Sequence, residues 1–173
     1  INGFDLDATK VELINNGIAP IVEPGIQDLL TNVRNENSFR AATTLTPADC
    51  FVIAVPTPFI RSSNKEQKQA DLSYVFDAGT TIAKHLKPGD LVILESTVPV
   101  GTTQKLAQWL EKHSGLCASK DFFLAYCPER VLPGKIIHEL VHNDRIIGGI
   151  CKSSAERAKT FYKTFVKGAC HLT

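Results

Sequence analysis

Five short strings in this sequence carry side chains able to bind a ligand, polarise a bond or move a proton. They are Gly3-Phe4-Asp5, Val55-Pro56-Thr57-Pro58, Glu95-Ser96-Thr97 running on through Pro99 and Gly101 to Thr102, Cys127-Pro128-Glu129-Arg130, and His138-Glu139-Leu140-Val141-His142. The first four each close a short apolar run, and in open parallel sheets ligands bind at the carboxyl ends of strands. Asp5 stands between a strand and a helix, where a dinucleotide fold places an acid that accepts hydrogen bonds from the adenosine ribose hydroxyls. An acid there repels a 2′-phosphate and so favours NAD over NADP. From position alone, an ordinary helix-capping Asp reads equally well.

Ser96 and Thr97 lead from a strand into a helix, and hydroxyls with free N–H groups at a helix start suit a phosphate or an ordered water. Ser, Thr and Pro also build any strand-to-helix turn. Glu129 can take a proton directly or through water if it lies in a cleft; a surface Glu paired with Arg130 is the plainer alternative. The fifth string satisfies H-E-x-x-H, in which two His four apart share a helix face and the Glu acts as base on a zinc-bound water. Here Gly134 and Asn143-Asp144 leave room for little more than two helical turns, and only Glu156 or His171 remains as a third ligand. Chance spacing on an exposed helix is the better reading, and no metal is expected.

Apolar runs that alternate with segments of helical period must position these residues. Such alternation marks parallel strands covered by helices. Strands are expected at Ile1–Asp5, Phe39–Thr43, Cys50–Val55, Leu91–Glu95, Phe122–Tyr126, Arg145–Gly148 and Ala169–Leu172. Asp7 caps a first helix that stops at Gly17, and Pro24 starts a second with Ile26, Leu29, Leu30 and Val33 on one face. Asp71 opens a third, and a fourth begins near Gly101. The last carries a capping box, Ser153-Ser154-Ala155-Glu156, before the apolar face Ala158, Phe161, Tyr162 and Phe165. Lys159, Lys163 and Lys167 lie opposite that face and read as a solvated surface. The polar stretch Ile60–Gln69 reads as a surface loop.

The chain has 173 residues, 43% of them hydrophobic, enough for one sizeable core. Lys and Arg (19) nearly balance Asp and Glu (18), with no basic block, so neither nucleic acid nor an anionic membrane is an expected partner. No apolar run approaches the roughly 20 residues that span a bilayer. Five cysteines without a C-x-x-C pair point to reduced thiols in a cytoplasmic protein.

Taken together and in order, Val55–Phe59 (VPTPF), Glu95–Thr103 (ESTVPVGTT), Tyr126–Gly134 (YCPERVLPG) and Asn143–Gly149 (NDRIIGG) resemble the NAD-binding domain of the UDP-glucose/GDP-mannose dehydrogenase family. Ile21-Val22-Glu23-Pro24-Gly25 joins them. The resemblance implies a Rossmann-like, doubly wound α/β sheet over 1–173, incomplete at its N-terminus, with NAD as cofactor and a UDP-sugar as substrate. Asp5 then matches the ribose-binding acid, and Val55, Pro56 and Thr57 the segment lining the adenosine side. Ser96 and Thr97 match the pair beside the nicotinamide and a catalytic water, with Glu129 the acid of proton transfer or water activation. Pro133 stands where glucose-specific relatives carry a second Glu, as in the acetamido-sugar branch. Cys127 matches no nucleophile and reads as a core thiol.

The implied chemistry is oxidation of a sugar C6 alcohol to the acid by two NAD⁺ in succession, through a Cys-bound thioester. The resemblance puts the nucleophilic Cys and most sugar contacts after Thr173, and the Gly-rich phosphate turn before Ile1. The chain alone is therefore expected to be inactive. A non-catalytic module that keeps the sheet without binding a dinucleotide is the alternative. In the 3-2-1-4-5-6 strand order a strand would separate Ile1–Asp5 from Cys50–Val55. Without one, the two are expected to pair directly, or with another copy of the chain in a homo-oligomer, because unpaired ladder groups are costly.

Overall fold

The computed structural model describes residues 1–60 and 69–173. In chain order the elements are β1 (Asn2–Phe4), α1 (Ala8–Asn15), α2 (Ile26–Asn35), β2 (Arg40–Ala42), β3 (Cys50–Ile53), α3 (Ser73–Ala83) and β4 (Leu91–Leu94). There follow α4 (Thr102–Ser114), β5 (Phe123–Tyr126), α5 (Ile136–His142), β6 (Arg145–Gly149), α6 (Lys152–Tyr162) and β7 (Cys170–Leu172). Residues 1–46 with 130–143 form one compact unit, and residues 47–129 with 144–173 form another.

In the first unit β1 and β2 pair in parallel, with Gly3 opposite Ala41. Asp7 caps α1 as expected, accepting from the N–H groups of Thr9 and Lys10 at 3.0 and 3.3 Å. The chain leaves that helix at Gly17, whose φ of 78° disfavours a side chain. Asn15 then serves β2 as a neighbouring strand would. Its amide donates to the Ala41 carbonyl at 2.9 Å and accepts from the Ala41 N–H at 3.0 Å, so that residue's backbone is satisfied without a further strand. The apolar face expected on α2 is only partly used. Leu30 is buried but Leu29 is exposed, because a two-stranded sheet has little area to cover.

The second unit is built on a five-stranded sheet in the order β3-β4-β5-β6-β7. β3, β4 and β5 run parallel, β6 pairs antiparallel with β5, and β7 runs parallel to β6. The parallel-dominant α/β architecture expected from the sequence is thus present, with one reversal. Tyr126 faces Gly148, so β6 starts at the end where β5 finishes, and no return crossover is needed of the kind parallel pairing requires. The inner strand β4, Leu-Val-Ile-Leu, is buried along its whole length. Leu91 and Ile93 pack with Phe123, Ile147 and the α6 residues Ala158 and Tyr162. Val92, Leu94 and Leu124 point to the other face, where Val75, Leu106 and Leu110 are also fully buried.

Three expectations need correction. The direct pairing of Ile1–Asp5 with Cys50–Val55 does not form: among the described residues β1 has β2 as its partner strand and β3 has β4. The capping box at Ser153 is not made either, since α6 starts at Lys152 with Cys151 at its cap. Ser154 is wholly buried, and its hydroxyl oxygen accepts from the Leu124 N–H at 3.2 Å, so it ties the helix to the sheet instead. Phe165, expected on the apolar face of α6, lies past the helix and is 42% exposed. The loop expected at Ile60–Gln69 falls largely on 61–68, outside the described residues. Its flanks meet through a bridge between Phe59 and Ala70.

The thiols differ sharply. Burial, with the Asp49 and Asp90 carboxylates nearby, pushes Cys50 up to about 11. Burial also raises buried Cys127. Burial raises Cys151 as well, but hydrogen bonds from Ser154, Ser119 and the α6 backbone outweigh it and bring the thiol below its ordinary value. Because the thiolate is the nucleophile, iodoacetamide at pH 8 is expected to label Cys151 and exposed Cys117 well before Cys50 and Cys127. Peptide mass mapping over time checks the order.

Candidate functional site

In the second unit the sequence-predicted residues converge at the carboxyl ends of β3, β4 and β5. Ser96 is buried, and its hydroxyl donates to the Val55 carbonyl at 2.7 Å. The Thr57 hydroxyl donates to the Thr97 carbonyl at 2.7 Å. The Glu129 N–H donates to the Glu95 carbonyl at 3.2 Å. Three loops that sequence reading could place only one at a time are thereby stitched into one surface. Pro56, between the first two contacts, is exposed.

These bonds refine the expected roles. The Ser96 and Thr57 protons are committed to backbone carbonyls, so those hydroxyls shape the site and retain only lone pairs for a ligand. Thr97 is exposed, and among the described residues its hydroxyl makes no hydrogen bond. Glu129 presents an exposed carboxyl side chain on the adjoining loop. Beside them Gly101, with φ 86°, turns the chain into α4. A cleft of about 310 Å³ opens there, with Pro99, Gln104, Tyr126 and Gly149 in its wall. That volume lies at the small end of ligand pockets.

Beneath this surface lies a polar cluster that sequence reading missed. The Tyr162 hydroxyl donates to Glu95 Oε1 at 2.7 Å, and an Arg145 guanidinium nitrogen lies 3.9 Å from the same oxygen. The Arg145 guanidinium carbon also sits 5.3 Å from the centre of the Tyr162 ring. Burial, then the Glu95 charge, raises the Tyr162 phenol well above its ordinary value, so it remains a donor. The available signal was a Glu closing a wholly apolar run, since a carboxylate drawn into a core must find partners.

Asp5 belongs to the first unit. It follows β1, but Asp7 performs the helix capping, which removes the simplest alternative use for Asp5. One Asp5 oxygen accepts from the Asp7 N–H at 2.9 Å, and the other lies 3.6 Å from the Lys10 ammonium. With 45% of the side chain exposed, acceptor sites remain for the two hydroxyls of a ribose. The residues present therefore fit the adenosine side of NAD.

Glu23, also in the first unit, is 8% exposed and accepts from the N–H groups of Gly134 and Ile136 at 2.8 Å each. It thus caps α5, the helix bearing the H-E-x-x-H string. On that helix Glu139 accepts from the Leu132 N–H at 2.8 Å, and His142 Nδ1 lies 2.9 Å from the His138 carbonyl. These groups serve the local fold, and among the described residues no cluster of three metal-ligating side chains occurs. No helix among the described residues is long and apolar enough to cross a membrane.

The chain matches the family model of the UDP-glucose/GDP-mannose dehydrogenase family, NAD binding domain, over residues 1–166. It is 49% identical to a UDP-N-acetyl-D-mannosamine dehydrogenase of Campylobacter jejuni, with 99% of this chain and 43% of that protein covered. It is 44% identical to an NDP-N-acetyl-D-galactosaminuronic acid dehydrogenase of Ralstonia nicotianae, covering 99% of this chain and 41% of that one. The chain thus spans less than half the length of these curated relatives. The solved UDP-D-ManNAc dehydrogenase of Pyrococcus horikoshii superposes with a TM-score of 0.93 at 40% identity, over 99% of this chain and 40% of that one. The chain belongs to the UDP-glucose/GDP-mannose dehydrogenase family, within its NAD-binding domain.

Proposed function

We propose that this chain is the NAD-binding part of a dehydrogenase that oxidises the C6 alcohol of UDP-N-acetyl-D-mannosamine to the uronate. The observation that carries the reading is the arrangement of Ser96, Thr97 and Glu129: a buried, hydrogen-bonded base beneath an exposed hydroxyl and an exposed carboxyl group. The names of the Campylobacter jejuni and Pyrococcus horikoshii relatives support the sugar, and Pro133 is consistent with it. NAD, when bound, supplies the hydride acceptor. Asp5 holds the ribose hydroxyls, and Val55, Pro56 and Thr57 line the adenosine side. Thr97 orients an ordered water or the reacting hydroxyl, and Glu129 accepts a proton directly or through that water.

Calorimetric titration with NAD⁺ tests the reading, and no binding heat at millimolar NAD⁺ would overturn it in favour of a module that binds no dinucleotide. Asp5→Ala is expected to raise the NAD⁺ dissociation constant about tenfold, the loss of roughly one charge-assisted hydrogen bond. Lys10, freed from Asp5, then stands ready for a 2′-phosphate, so the same variant should narrow the preference for NAD⁺ over NADP⁺. An unchanged preference would count against Asp5 as the discriminating acid.

The cysteine pattern supports a reducing, cytoplasmic setting. A homo-oligomer formed by strand pairing is supported by β3, which among the described residues has a partner strand in its sheet on one side only. Sedimentation velocity over a concentration series decides that point.

A further inference from the structure

Glu95 is not in the cleft wall and has no assigned ligand contact of its own, yet much of the site hangs from it. Its N–H donates to the Ile53 carbonyl at 2.9 Å, and its carbonyl receives the Glu129 N–H. The next two residues are Ser96 and Thr97. Its side chain is 17% exposed and Arg145 is 4% exposed. Tyr162, from α6, is fully buried. Five segments therefore meet at one residue: it follows directly on β4, β3 and the loop after β5 bond its backbone, and β6 and α6 hold its carboxylate.

Such a cluster has a demanding chemistry for a place that needs only packing. A buried carboxylate costs free energy unless paired and hydrogen-bonded, and an apolar residue of similar size fills a core at no such cost. What the carboxylate adds is direction. A hydrogen bond of 2.7 Å from a phenol fixed in a helix sets the Glu95 rotamer, and a side chain tied at its far end restrains the Cα that joins the two flanking peptide groups.

We propose that Glu95 is a positioning residue: Tyr162 and Arg145 clamp its carboxylate so that its backbone holds the Ser96-Thr97 turn at a fixed distance from the Glu129 loop. This inference deepens the function proposed above and rests on it for its catalytic meaning, but the clamp is a property of the ligand-free protein.

The test follows from that. Amide hydrogen exchange, resolved by NMR on the ligand-free protein, is compared between wild type and Tyr162→Phe, which removes the donated hydrogen bond and little volume. The exchange rates of the Ser96 and Glu129 amides are expected to rise tenfold or more, while those of Val92 and Leu106, in the same unit but away from the clamp, stay within twofold. Glu95→Gln gives a second route if Tyr162→Phe does not fold. Its amide oxygen still accepts from Tyr162, so it should raise the same two rates less, about threefold. A rise shared by all amides would reveal a general loss of stability and overturn the proposal, as would no change at Ser96 and Glu129.

NAD⁺ titration of the same variants adds a second readout. Tyr162→Phe should raise the dissociation constant about fivefold in the wild-type background and less than twofold when Thr97 is already Ala, because the effect travels through that turn. Equal effects in both backgrounds would overturn the proposal. If the wild type itself failed to bind NAD⁺, the proposed function would fall, and the exchange pattern would still decide the clamp.

Discussion

Gly149→Ala is expected to cost about 3 kcal/mol or more of unfolding free energy, a large share of the 5–15 kcal/mol that holds a domain together. The cause is steric. A Cβ at Gly149 would lie 2.5 Å from both the Ala155 nitrogen and the Cys151 carbonyl oxygen, which are backbone atoms of α6 and its cap. Neither can swing aside as a side chain can, so the start of α6 must move, and Ser154 with it. Its bond to the Leu124 N–H would then stretch, leaving a buried donor unsatisfied. Gly148 is the internal control. A Cβ there meets only the Thr173 hydroxyl oxygen at 3.3 Å, so Gly148→Ala should change stability by no more than about 0.5 kcal/mol. Urea unfolding of the two variants measures the contrast, and similar midpoints for both would show that β6 and α6 do not pack this closely.

The second large effect is expected at Glu23. Replacing it with Ala removes the acceptor for two backbone N–H groups at the start of α5 in a part-buried site, so the low end of the usual range per bond applies. Hydrogen bonds to a charged group are worth about 1.5–3 kcal/mol each, so a loss of about 3 kcal/mol is expected, confined to the first unit. Glu23→Gln keeps one acceptor oxygen and should lose about half as much. The readout is local: exchange of the Gly134 and Ile136 amides, and protease sensitivity across 130–143. If the Ala variant left both unchanged, the Glu23 cap would not be what holds this segment.

Both predictions lie in motifs the sequence displayed without explaining. Asp5, Ser96, Thr97 and Glu129 were legible because strand ends announce themselves as apolar runs closed by polar residues. The strands themselves were legible for the same reason, Leu91–Leu94 most plainly. Periodicity says nothing about which hydroxyl proton goes where. Ser96, expected beside a ligand, also donates its proton to the Val55 carbonyl, and Ser154, expected in a helix cap, is a buried tie to Leu124. Tyr162 was placed correctly on an apolar face, but a helical wheel does not show that its hydroxyl reaches a carboxylate 67 residues away in sequence. The reversal at β6 was hidden because strand direction depends on where the preceding connection returns the chain. Pro128 and Asn143 bound that connection without revealing its course.

The bond between Glu23 and Gly134 spans 111 residues, and the intervening chain contains β3, β4 and β5. Residues 47–129 interrupt the first unit, and residues 130–143 interrupt the second. On a ribosome, therefore, β1, α1, α2 and β2 emerge long before the segment that completes their unit. They must wait through the synthesis of three strands and two helices, with Glu23 holding no partner for its carboxylate. Closing a loop of that length costs on the order of 4 kcal/mol of chain entropy if the intervening residues are still unfolded, and much less if they have already condensed into a sheet. Vectorial synthesis thus favours an order of events in which the strands that lead into Ser96 and Glu129 assemble first, and the unit that contains Asp5 is completed last.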